Sequence, residues 1–169
     1  MRSICRFLSL AFVVALFAGT SMRPASAAMQ APASLQALVG HWTCTYSGPK
    51  GKTTSTYTIS RVADLWVEGT GHTSAYPGRP ANDSVFMFGY DPKKHTYVSM
   101  GADSVAGDWG VSTAQGGPTA MTMTYVNNYP ADPTKENDVW HFTPTSITIA
   151  STWTEKGKAM SSKGACTKQ

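Results

Sequence analysis

The side chains able to act as metal ligands, nucleophiles or acid–base groups are thinly spread along this chain of 169 residues. Its four histidines, His41, His72, His95 and His141, are far apart, and no two have the i, i+2 or i, i+4 spacing of a local metal chelate. Each reads first as a surface or half-buried ring making an ordinary hydrogen bond. His72 differs in its surroundings, because "GTGHTSAYPG" flanks it with glycines that permit close backbone approach. Glu68 lies four residues earlier, on the same face of an extended strand. Asp103 and Asp108 bracket a turn, and neither pair of residues carries the signature of an acid and its base. No G-x-S-x-G elbow, phosphate loop or H-E-x-x-H helix occurs. Catalysis would have to be assembled from strands distant in sequence, with His72 and Glu68 as its candidates.

The three cysteines require knowing where the chain resides. Arg2 and Arg6 flank the start of an apolar run, Phe7 to Gly19, that ends in the small-residue stretch "RPASAAMQAPA". That is the layout of a secretory signal peptide, and the apolar run is too short to span a bilayer. Ala25-Ser26-Ala27 supplies the small side chains for cleavage, so residues 1–27 are expected to be removed and residues 28–169 to form the mature domain. Cys5 precedes the apolar run and leaves with the signal, which argues against a lipid anchor; no stable membrane attachment is expected. Cys44 and Cys166 remain, with one possible pairing, in a compartment that permits disulfides. Neither has a C-x-x-C or C-x-x-H partner for zinc, and a catalytic thiol at Cys44 would depend on His41 as its base. A disulfide between Cys44 and Cys166 is the expectation.

Trimming also changes the charge. Removing Arg2, Arg6 and Arg23 from the 14 basic residues leaves 11 against 10 carboxylates, a net charge of about +1. No basic footprint remains for nucleic acid, which is excluded as a partner.

The elements that must position these groups are strands. Threonine dominates the mature chain with 20 copies, mixed with Trp, Tyr, Val and Ile in short runs separated by Gly, Pro, Asn and Asp. One helical turn is expected around Ala33 to Leu38. About ten runs follow, from "HWTCTYS" to "KAMSSKGACT", joined by short connections. The clearest hairpin has Asp91-Pro92-Lys93-Lys94 as its turn, and "SAYPGRPAND" is a stiff exposed loop. In the first run, Trp42, Cys44 and Tyr46 share one face. Strands joined to their sequence neighbours form a meander, and a meander of ten removes its edges most simply by closing. The fold class expected is therefore all-β, a single closed antiparallel up-and-down barrel of about ten strands. An immunoglobulin-like sandwich fits less well, since Trp42 precedes Cys44 and the cysteines span almost the whole mature chain. In a closed meander the first and last strands are neighbours, placing Cys44 beside Cys166.

"LVGHW", Leu38 to Trp42, resembles the Gly-x-Trp opening of lipocalin-like, or calycin, barrels, in which the tryptophan closes one end; Gly40 and Trp42 take those structural roles. Gly89-Tyr90-Asp91, Tyr97-Val98 and Asp103-Ser104 extend the likeness to a bacterial lipocalin-like domain-of-unknown-function family. Lipocalins proper usually pack a late arginine over that tryptophan, but no arginine follows Arg79. Nitrobindin-like barrels are also similar, and that resemblance implies haem held by His141. It lies in "DVWHF", where Trp140 and Phe142 share the opposite strand face. The glycine-rich first strand of those proteins is missing, and otherwise no cofactor is implied.

What the interior could hold is a small apolar molecule. Expected lining residues include the methionines Met87, Met100, Met121, Met123 and Met160, which adapt to irregular apolar shapes. The aromatic candidates are Trp66, Phe86, Tyr97, Tyr125 and Trp153. The same residues would equally fill a solid core. Binding of a small apolar ligand is the leading expectation; an enzyme working in the cavity and an interaction module with a filled barrel are the alternatives.

Overall fold

The computed structural model describes residues 32–105, 109–117, 120–127 and 135–169. The expected signal segment and Asp108 lie outside them. A short helix, α1 (Ala33–Leu38), precedes ten strands. These are β1 (Gly40–Gly48), β2 (Gly51–Ala63), β3 (Trp66–Thr73), β4 (Asn82–Asp91) and β5 (Thr96–Asp103). They continue with β6 (Trp109–Gly116), β7 (Ala120–Asn127), β8 (Lys135–Phe142), β9 (Ser146–Glu155) and β10 (Lys158–Lys168). Each strand pairs antiparallel with its sequence neighbours, and β1 pairs with β10, so the sheet is a closed up-and-down barrel. The fold class read from the sequence is the one observed.

Period-two alternation explains which side chains face inward. On β9, Ile147, Ile149 and Ser151 are buried while Thr148, Ala150 and Thr152 are exposed. Threonines 45, 54, 56, 58 and 70 occupy exposed positions of β1–β3 in the same way. The abundant threonine is thus largely the outer surface, where β-branched polar residues suit the strand backbone and meet water. Turn chemistry behaves as read: the Asp91 carboxylate accepts the backbone N–H groups of Lys93 at 2.9 Å and Lys94 at 3.2 Å, closing the β4–β5 hairpin.

One end of the barrel is sealed. Leu35 and Leu38 of α1 are buried against the strands, and the Trp42 indole N–H donates to the Leu38 carbonyl at 2.7 Å. Ser34 Oγ lies 2.6 Å from the Tyr97 hydroxyl, tying the helix to β5. Burying side chains of this size stabilises by roughly 1.5–3 kcal/mol each. Gly40 has φ 138°, a conformation that favours glycine, and a Cβ there would displace the end of the Lys168 side chain. Lys168 faces Trp42 across the β1–β10 pairing, its Nζ 5.4 Å from the ring centroid. The cation over the tryptophan, which no arginine supplies, is this lysine.

Cys44 and Cys166 are directly opposed across the same seam, their Cα atoms 3.9 Å apart, and are joined by a disulfide.

Candidate functional site

The inner faces of the strands line two adjoining regions. A deep cavity of about 270 Å³ lies above the α1 seal, between Trp42 and Ile59 at its base and Tyr46 and Tyr57 at its top. Above it, a wider mouth of about 430 Å³ opens between the β1–β2 hairpin, the loop carrying Tyr76 and Arg79, and Trp153 and Met160. Tyr46 and Tyr57 are the residues common to both. Their hydroxyls are 3.4 Å apart, so the pair stands between mouth and cavity. Each ring lies against a glycine of a neighbouring strand, Gly164 beside Tyr46 and Gly71 beside Tyr57. The loop at the mouth is held by paired backbone bonds between Tyr76 and Arg79 and by the Arg79 guanidinium donating to Asp103 at 2.7 Å.

The electrostatics of the interior centre on β8. Glu136 lines the mouth and Asp138 lines the deep cavity. Burial raises the Glu136 carboxyl to about 7, with the Asp138 charge adding to the effect and a Ser151 hydrogen bond opposing it. Asp138 is raised by burial, against hydrogen bonds from Ser151 and Trp140. The Trp140 indole N–H donates to Asp138 Oδ2 at 3.4 Å, whereas the buried Oδ1 has no partner among the described residues. The Tyr46 phenol is held well above its usual range, first by burial and then by Tyr57 and Asp138. A buried acceptor without a partner costs about 1–3 kcal/mol, more if charged, so this carboxyl is an unmet demand inside an aromatic chamber.

The expected site residues divide. Phe86 lines the cavity and Trp153 the mouth, both facing inward as read. Tyr97 is inward but belongs to the sealed end, stacked on Phe88 with centroids 5.9 Å apart. Met121 is fully buried, in register with Trp140. Met123 and Tyr125 lie on β7 in register with Asp138 and Glu136, and their side chains fall outside the described residues.

Two assignments are corrected, and a third in part. Met87 and Met100 pair with each other on the outward alternation of β4 and β5, 37% and 44% exposed, because Phe86, Phe88 and Tyr97 take the inward one; Met100 nevertheless also borders the deep cavity, as read. Trp66 alternates with inward Val67 and lies over Gly89 on the outside.

The histidine candidates also face out. His72 accompanies Glu68 on the outer face of β3, but its partner is Asp83, 2.7 Å away, both side chains mostly exposed. His141 is exposed beside Val139, so the nitrobindin-like placement of haem on it does not match the barrel interior. His41 and His95 bond to Thr58 and Tyr90 at the surface. Among the described residues, no group of three or more His, Cys, Asp or Glu is placed to hold a metal.

Sequence reasoning missed Asp138, Glu136, Tyr57 and the cavity serines Ser84, Ser99 and Ser112, the last two of which bond to each other. A signal was present for the acids. In "ENDVWHF", Glu136 and Asp138 fall in step with Trp140 and Phe142, two carboxyls on an apolar face.

The family described as "Protein of unknown function (DUF1579)" matches residues 28–166. No curated protein matches the chain. Similar solved structures include a redesigned beta barrel, 9% identical, covering 83% of this chain and 99% of that one, with a TM-score of 0.49. Another is a de novo designed fluorescence-activating beta barrel, 12% identical, covering 83% and 100%, with a TM-score of 0.47.

Proposed function

The chain belongs to the DUF1579 family, and from that premise we propose that it is an exported, lipocalin-like barrel that binds a small, largely apolar molecule in its interior. The observation that carries the reading is the deep cavity, walled by aromatic and aliphatic side chains and holding a buried carboxyl oxygen that has no partner among the described residues. Its volume is near the lower end of the ~300–1,000 Å³ typical of small-molecule sites, and few polar groups against apolar walls is their usual make-up. The lipocalin-like reading is supported by Gly40 and Trp42 at the sealed end and by Lys168 over the tryptophan. Export is supported by the Cys44–Cys166 bond, which favours an oxidising compartment, and by a family match that opens at Ala28, just past the expected cleavage point.

Native mass spectrometry of the exported mature protein, compared with the same sample denatured, tests this reading. An extra mass lost on denaturation identifies the occupant, and an N-terminus at Ala28 establishes processing. An empty protein whose tryptophan fluorescence and NMR spectrum also fail to respond to toluene or indole would overturn interior binding.

A further inference from the structure

We propose that the deep cavity selects a small organic amine, with its ammonium group on Asp138 and its apolar body against the aromatic walls. This rests on the interior-binding reading and gives the ligand a chemical class.

Asp138 is the sole ionisable carboxyl lining the deep cavity among the described residues, and no lysine, arginine or histidine lines it. Among the described residues the chamber therefore offers a carboxyl to a cation and only hydroxyls to an anion: a fatty acid would set its carboxylate against Asp138 with no base to balance it. Both protein partners of Asp138 favour its charged form. The Trp140 indole can only donate, and the Ser151 hydrogen bond likewise stabilises the carboxylate. Oδ1 is the atom left over, buried and without a hydrogen-bond partner among the described residues. A ligand N–H donor supplies what that oxygen lacks, and an ammonium does so while cancelling the charge that burial penalises.

The walls agree with this. Trp140, Tyr46, Tyr57 and Phe86 line the chamber, and aromatic side chains are the surroundings that attract a desolvated cation. Trp140 is itself packed nearly parallel to Phe88, 12° between planes with centroids 6.3 Å apart, which holds the indole in place beside Asp138. Glu136 lies one inward position toward the mouth on the same strand, so a cation descending past Tyr46 and Tyr57 meets a carboxyl at each level.

The test uses the mature, disulfide-bonded protein and four probes of matched shape: 2-phenylethylamine, 2-phenylethanol, ethylbenzene and phenylacetate, titrated calorimetrically at neutral pH. The amine is expected to bind at least tenfold more tightly than the alcohol and the hydrocarbon, with phenylacetate weakest. Asp138→Asn should remove the tenfold preference and leave ethylbenzene binding unchanged. Because the preference is measured in the unaltered protein, it stands as a test even if the variant does not fold. Equal or tighter binding of ethylbenzene or phenylethanol would overturn the amine assignment and leave interior binding standing. Equal binding of phenylacetate would overturn it too, and no binding of any probe would overturn both readings.

Discussion

Reduction of the Cys44–Cys166 bond should cost this barrel a large share of its stability, because the crosslink acts mainly on the unfolded chain. The two cysteines are 122 residues apart. In the chain-entropy relation a closed loop of that length removes about 16 cal/mol/K from the unfolded ensemble, or about 5 kcal/mol at 25 °C. Total stabilities of domains are roughly 5–15 kcal/mol, so a third or more of the whole is at stake. In the folded state the seam loses little, since Trp42 to Ser47 remain in register with Lys168 to Lys163 through the backbone. The assay is urea denaturation followed by tryptophan fluorescence, with and without reductant, which leaves every side chain in place. With an m-value of ~2 kcal/mol/M, the midpoint should fall by about 2 to 3 M. The m-value itself should rise, because the freed chain exposes more surface when it unfolds. The double variant Cys44→Ala with Cys166→Ala should reproduce the shift. A loss below about 1 kcal/mol, with m unchanged, would refute the reasoning and place the stability of the seam in its strand pairing alone.

Three further outcomes follow from the placement of particular residues. Met121→Ala should destabilise by about 2–5 kcal/mol, because that side chain is 1% exposed, whereas Met100→Ala on the outer face should change stability by no more than about 0.5 kcal/mol; equal losses in thermal denaturation would refute the inside–outside assignment. Gly40→Ala should cost about 1–3 kcal/mol, since the new Cβ meets both a positive φ and Lys168, and pairing it with Lys168→Ala should recover the steric part only. The pH dependence has a definite sign. The Glu136 carboxyl is raised from 4.5 to about 7, so between those values the folded chain holds a proton that the unfolded chain has released. Its contribution is fully present below about pH 4.5 and lost as pH rises through about 7; Asp138, raised by burial as well, tilts the curve the same way. Melting temperatures measured from about pH 4 to 8 should therefore decline, and Glu136→Gln should flatten the decline without abolishing it.

Much of the barrel was legible because its determinants are local. Alternation in "HWTCTYS" put Trp42, Cys44 and Tyr46 on one face, and that face is the inner one. The Asp91 turn, the single helical turn before β1 and the short connections are likewise set by neighbouring residues, and ten short strands with no long crossover leave closure as the simplest way to pair both edges. The disulfide followed from counting, once the expected signal segment was set aside, and its register partner from closure. The site was less legible, because alternation tells which residues share a face and not which face is inside. "SVFMFGY" offers Val85, Met87 and Gly89 against Phe86, Phe88 and Tyr90, both sets apolar, and the choice between them falls to packing with strands far away in sequence. The aromatic set goes in, because the inward Gly69 and Gly71 of β3 leave room for the rings of Phe86 and Tyr57. Methionine, the apolar residue most readily taken for lining, takes the outward alternation at positions 87 and 100, where only Met100 still borders the cavity. The same limit hid Asp138. A carboxyl in step with Trp140 and Phe142 was visible in the chain as a breach of pattern, but that its Oδ1 finds no partner among the described residues is a property of the chamber, set by side chains from β1, β2, β4 and β9 that only the tertiary structure brings to one place.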